Sequence, residues 1–204
     1  MVTDKNQSLK LVLVSKGRSV QEVKKVLEGS RISRIAENRL EEAEEKFRGL
    51  DPLEKHFIGK LQSRKIRKIV DLFDVIQSME SLEQAQKISR FAGELGKVMD
   101  VYIEVNLSGL PQRSGAEPAE VPSLIEAVRE LPNVRLQGVM GMATPDPEEA
   151  REQFRLLKSL QGDLTECSMG MSDDYPLAIE EGSTMLRLGR VVFEQGLPKS
   201  VVFE

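Results

Sequence analysis

Leu9-Lys10-Leu11-Val12-Leu13-Val14-Ser15-Lys16 decides how the chain is read. Leu11 to Val14 is an unbroken apolar run, β-branched at Val12 and Val14. A short run of this kind between polar residues is the pattern of a strand buried on both faces, as in a parallel sheet. Lys16 follows directly, then Gly17, where the chain must turn before a helical pattern begins at Ser19. A lysine at the end of a buried strand stands at the rim of a core, where desolvation disfavours its ammonium form. A neutral amine is a nucleophile toward aldehydes, so Lys16 is a candidate for Schiff-base chemistry beside its plainer reading as a solvated strand end.

Outward from this run the same alternation repeats. Ser19 is a plausible N-cap for a helix over 20–27, with Val20, Val23, Val26 and Leu27 at helical spacing and Gly29 closing it. Strands are predicted over 34–38, 55–59, 75–79, 98–107, 134–142, 166–169 and 185–193. Helices are predicted over 40–47, 63–73, 81–95, 121–131, 148–160 and 175–181. The Gly- and Pro-rich stretch 108–118 is the longest loop, and Thr144-Pro145-Asp146-Pro147 introduces a helix. Strand and helix alternate about eight times with no shift of composition, so residues 1–204 read as a single α/β domain with parallel strands. A (β/α)8 TIM-type barrel is the expected architecture, with its site at the carboxyl ends of the strands. A doubly wound open sheet is the alternative, since alternation alone does not prove closure.

Bulk properties exclude several function classes. The chain has 204 residues, 40% apolar and 30% charged, enough for a substantial core. No apolar run approaches the roughly 20 residues that span a bilayer, and residues 1–9 lack the apolar centre of a signal peptide. Cys167 is the single cysteine, which rules out an internal disulfide framework and fits a reducing cytoplasm. One His and one Cys leave no structural zinc set, and Glu41, Glu42, Glu44 and Glu45 have no metal partner in view. A net charge of −4 gives no general pull toward nucleic acid or an anionic membrane, so an anionic ligand needs a local arrangement. Arg64, Lys65, Arg67 and Lys68 read as a solvated helix face, His56 as a packed strand residue and Cys167 as a small buried one.

Two further stretches carry chemistry. In Ser168-Met169-Gly170-Met171-Ser172-Asp173-Asp174, Gly170 permits a tight turn, and Ser172 can cap the following helix while offering a hydroxyl to an anion. In Gly182-Ser183-Thr184-Met185-Leu186-Arg187-Leu188-Gly189-Arg190, Arg187 sits among apolar strand residues, where an unpaired guanidinium is costly. Its acceptor is expected to be a buried carboxylate or a ligand atom. Barrel phosphate sites commonly use the loops after the last two strands, where both stretches fall.

Taken in order, these motifs resemble the pyridoxal 5′-phosphate (PLP) homeostasis proteins of the YggS or PROSC type, which share a barrel with the alanine racemase N-terminal domain. Val14-Ser15-Lys16 is similar to the family's lysine segment and Ala36-Glu37-Asn38 to its Gly-Glu-Asn. His56-Phe57-Ile58-Gly59 with Leu61-Gln62-Ser63 resembles a family signature, followed by Arg64-Lys65 where Asn-Lys is usual. Arg113-Ser114-Gly115 resembles Lys-Ser-Gly, and 168–174 and 182–189 are close to the family pattern. Three features depart from it. Residues 1–9 are too short for the helix that usually precedes the first strand, leaving the amino-terminal face of the barrel less covered. Arg190 stands where Thr is frequent near the phosphate, either adding a cation there or pointing outward, and Glu194 stands where Gly is usual.

The resemblance implies that Lys16 holds PLP as a Schiff base, with Asn38 beside the ring. It further implies that Ser168, Ser172 and Gly189 belong to the cofactor site and that Arg187 faces the pyridine nitrogen. It implies a carrier or regulator in PLP homeostasis, partnered by PLP and by PLP-dependent apo-enzymes, acting as a cytoplasmic monomer. Two alternatives stay open: a PLP-dependent amino-acid racemase of low activity, and a barrel for another phosphate ester that Lys16 touches only electrostatically.

Overall fold

The apolar run forms β1 (Lys10–Val14), and its neighbours on either side come from opposite ends of the chain. The computed structural model describes residues 9–110, 112–198, 201 and 203. β1 pairs in parallel with β2 (Arg34–Glu37) and with β8 (Met185–Leu188), in the register Leu13↔Ile35 and Leu13↔Leu188. Between them run β3 (Glu54–Phe57), β4 (Val75–Met79), β5 (Met99–Val105), β6 (Val134–Gly141) and β7 (Glu166–Ser168). The order β1 to β8 closes into a barrel, which settles the choice between barrel and open sheet. Every neighbouring pair is parallel, and each pair consecutive in sequence is joined by a helical connection, as parallel pairing requires.

The helices are α1 (Val20–Leu27), α2 (Leu40–Phe47), α3 (Ile66–Leu72), α4 (Leu82–Glu94), α5 (Val121–Arg129), α6 (Pro147–Gln161), α7 (Tyr175–Glu180) and α8 (Arg190–Gln195). Local signals fix several starts. Ser19 caps α1 in a reciprocal box with Glu22, and Asp146 accepts from the Glu148 and Glu149 amides at the start of α6. Two expectations change. The strand foreseen over 185–193 stops at Leu188, and α8 takes up the next residues, because Gly189 turns the chain before the β-prone Val191-Val192-Phe193. Ser172 does not cap α7; its hydroxyl accepts from the Val191 amide at 3.2 Å, in the first turn of α8.

The two-residue period of the strands divides the side chains between two compartments. Leu11, Leu13, Ile35, Ile76, Ile103, Val139 and Leu186 point outward and pack under the helices, with Phe73 and Phe154 among the largest fully buried side chains there. Val12, Val14, Ala36, Val75, Tyr102, Met140 and Met185 fill the barrel interior. At the amino-terminal end of the barrel Leu9 pairs with Phe203, and Val201 and Phe203 pack on the core. The expectation of a less covered face there fell on residues 1–9, of which 1–8 lie outside the described residues. Among the described residues no helix is long and apolar enough to cross a membrane, and no group of His, Cys, Asp and Glu could hold a metal ion.

Candidate cofactor site

Lys16 follows β1 at the carboxyl-terminal rim of the barrel, where two adjoining cavities of about 300 and 400 Å³ open. Both are lined by Val14, Lys16, Met171 and Arg187. Asn38 and Gly59 belong to the first, Ser172 and Gly189 to the second. Lys16 is exposed, so the shielding from water expected at a strand end is absent: the side chain stands at the mouth of the cavity. The backbone behind it is held firmly. Ser15 Oγ donates to Glu37 Oε1 at 2.6 Å, and Lys46 of α2 donates to the Ser15 carbonyl at 2.6 Å and to the same Glu37 oxygen. Ser15, Glu37 and Lys46 are all buried, and Glu37 Oε2 has no partner among the described residues.

Arg187 crosses the barrel interior and is 3% exposed. Its Nη1 donates to the Ser168 carbonyl and to Ser168 Oγ, both at 2.8 Å, and its Nη2 donates to the Gly141 carbonyl at 2.9 Å. The acceptors within the chain are two backbone carbonyls and a hydroxyl, where a buried carboxylate was the protein partner expected. Strand ends supply carbonyls that the sheet leaves free, and these the sequence does not advertise. Burial draws the guanidinium down to about 10, with the Glu104 and Asp174 carboxylates pulling it up, so it is a cation at neutral pH. Of its five N–H groups, the three in these bonds leave two for whatever enters the cavity.

The arginine terminates a chain of hydrogen bonds. Ser168 Oγ donates to Gln77 Oε1 at 2.7 Å, Gln77 Nε2 donates to His56 Nδ1 at 2.7 Å, and His56 Nε2 donates to Glu54 at 2.6 Å. The donors assign the neutral His tautomer protonated on Nε2. The bond from His56 holds the Glu54 carboxyl below its ordinary range. His56 is therefore a packed, hydrogen-bonded residue, as expected, and serves as one link of this chain.

Close approach shapes the walls. A Cβ on Gly189 would lie 2.8 Å from the Val14 carbonyl oxygen, and one on Gly59 would lie 2.0 Å from that of Asn38. Only glycine lets these strand ends come so near. Of the two readings for Arg190, the structure shows a cation at the edge of the cleft, paired with Asp173. Glu194 lies 3.6 Å from Arg18, whose guanidinium also stacks over Phe193.

Residues 7–195 match the family model of the alanine racemase N-terminal domain. A pyridoxal phosphate homeostasis protein of Aquifex aeolicus is 37% identical over 169 residues, which are 77% of this chain and 74% of that protein. The chain belongs to the pyridoxal phosphate homeostasis protein family. PipY of Synechococcus elongatus PCC7942, solved with PLP bound, superposes with a TM-score of 0.82 at 32% identity, over 91% of this chain and 92% of that one. An alanine racemase of Clostridium difficile 630 shares the barrel alone, with a TM-score of 0.77 at 19% identity over 97% of this chain and 56% of the racemase.

In this family member, Lys16, Asn38, Ser172, Arg187 and Gly189 come together around the two cavities. Ser168 does not reach the wall: it is fully buried behind Arg187 and holds it. Sequence reasoning missed Gln77, Glu104 and Lys46. Glu104 could have been found, since the alternation of Val101, Ile103 and Val105 puts Tyr102 and Glu104 on the opposite, inward face. Gln77 and Lys46 carry no such mark, because the fold brings their partners to them: Ser168 and His56 lie 91 and 21 residues from Gln77, and Ser15 and Glu37 lie 31 and 9 from Lys46.

Proposed function

We propose that this chain binds PLP reversibly and buffers and supplies it in PLP homeostasis, with Lys16 as the amine that bonds the aldehyde carbon. The observation that carries this is the sharing of one cavity by an accessible primary amine, Lys16, and a buried cation with spare donors, Arg187. The fit extends to the rest of the site. Ser172 and the Gly189 backbone would hold the phosphate, Asn38 would lie beside the ring, and Arg187 would face the ring nitrogen. PLP supplies an aldehyde that captures amines and a ring that withdraws electrons from whatever is attached. Arg187 remains charged and can only donate, so it favours an unprotonated ring nitrogen, which weakens that withdrawal. Such a site suits retention and release rather than carbanion chemistry. Apo-enzymes that need PLP are the matching clients, the cytoplasm is the compartment and a monomer the working form.

The deciding experiment is reconstitution with PLP, borohydride reduction and mapping of the label. A visible band that reduction abolishes, with the label on Lys16, is the expected result. In Lys16→Ala the band is lost and the fold kept, because an exposed side chain leaves no cavity behind. A label on another lysine, or an undiminished band in that variant, would sink the assignment.

A further inference from the structure

One ionisable side chain inside the barrel has no hydrogen-bond partner among the described residues. Glu104, on β5, is 4% exposed, and no described residue donates to its carboxyl. It lines the cavity that holds Lys16 and Arg187, and also a neighbouring one of about 160 Å³ beneath the loop after β5. Two other polar side chains of the barrel are already engaged elsewhere: Tyr102 with Glu166 at 3.0 Å, and Gln77 with Ser168 and His56. The charged groups facing Glu104 are Arg187 from β8, Glu80 after β4 and Lys60 after β3. Lys16 and Arg39 line the same cavity, and Arg113 lines the neighbouring one.

The two carboxyls of this group differ in a useful way. Glu80 accepts from the Gly115 amide at 2.9 Å and from Gln84 Nε2 at 3.3 Å. Glu104 has no such bond, and burial together with the Glu80 charge raises it to about 7. Glu104 is therefore a carboxyl that takes up a proton near neutral pH. PLP carries a phosphate and a phenolic oxygen, and so brings negative charge into this cavity. An ionised Glu104 opposes that charge, whereas a protonated one removes the repulsion and offers an O–H donor.

We propose that Glu104 is a further PLP-binding residue that carries a proton whenever the cofactor is in place, so that PLP taken up above neutral pH draws up to one proton from solvent and returns it on leaving. This rests on the PLP reading above. Rising pH then favours release, and the site couples its load to proton activity.

The test titrates the full chain and Glu104→Gln with PLP at pH 6, 7 and 8, following the visible band. Lys16 and PLP ionise in both proteins, so the ratio of the two dissociation constants isolates Glu104. The wild-type-to-variant ratio is expected to rise about tenfold from pH 6 to pH 8, a one-proton linkage. A ratio that does not change with pH overturns the inference while leaving the PLP reading intact. Absence of PLP binding by both proteins at every pH overturns the PLP reading, and the inference with it. Should the variant not fold, Glu104→Leu is titrated in its place, and a ratio that does not change with pH again overturns the inference.

Discussion

Ser168 Oγ accepts a hydrogen bond from Arg187 Nη1 at 2.8 Å. The same hydroxyl donates to Gln77, so a residue one layer behind the cavity sets where the arginine points. Ser168→Ala removes the hydroxyl and leaves Gln77 Oε1 without this donor, at a cost of about 1–3 kcal/mol in urea unfolding. Arg187 keeps its two carbonyl partners, so PLP affinity should fall, but less than in Arg187→Met. Equal losses of affinity in the two variants would show that Arg187 has no contact of its own with PLP.

The Lys46–Glu37 pair tests the support behind Lys16. Lys46→Met strands a carboxylate that is 0% exposed, at a cost of about 3–5 kcal/mol in chemical denaturation. Lys46→Met combined with Glu37→Leu should recover most of that loss, because no buried charge is then left alone. Failure of the double variant to recover would place the effect in packing of α2 and not in charge.

Gly189 meets Val14 through backbone alone. Gly189→Ala puts a methyl group 2.8 Å from the Val14 oxygen, two residues before Lys16, and one chain must shift. Its φ of −123° is open to any residue, so the cost is overpacking, about 1–3 kcal/mol. PLP affinity should drop along with the thermal midpoint. An unchanged affinity would mean that the gap between β1 and α8 does not shape the site.

Stability should depend on pH through Glu104. Its folded value of about 7 lies above the 4.5 of an ordinary glutamate. Below the lower value both states hold the proton, and between the two only the folded state does. Stability therefore falls as pH rises from 4.5 to 7 and then levels off, by about 3 kcal/mol in all. Glu104→Gln should match the wild type in denaturant at pH 4.5 and exceed it at pH 8. A variant that is no more stable at pH 8 would mean that Glu104 finds a partner in solution.

Racemase turnover is expected to be absent. Reversible proton exchange at an amino-acid α-carbon needs a base on each face, and Lys16 serves one. Tyr102 points into the barrel interior, where its hydroxyl donates to Glu166, and burial raises its pKa further. Tyr175 opens α7 and packs against the outer core. Neither lines the cavities around Lys16. Steady multiple-turnover racemisation of alanine, lost in Lys16→Ala, would establish an enzyme instead.

The sequence by itself determined the alternation of parallel strands and helices and most of the residues at their rim; closure into a barrel came from the tertiary structure. Strand alternation, the Ser19 and Asp146 caps and the apolar run 11–14 are local signals, because propensity and period act over a few residues. The same period placed Lys16, Asn38, Arg187 and Gly189 at strand ends, and closure then gathered them. Where the reading went astray, the deciding contact was remote in sequence. Val191 lies in a helix despite its β-branched neighbours because Gly189 turns the chain beside Val14, and Ser172 caps that helix from 19 residues away. The resemblance implies Ser168 in the cofactor site, yet it stands buried behind Arg187 with its hydroxyl donating to Gln77. The strand-end position implies a shielded Lys16, yet its side chain is exposed among the described residues. Exposure and hydrogen-bond partners depend on which strands become neighbours, and that is settled only when β8 closes on β1.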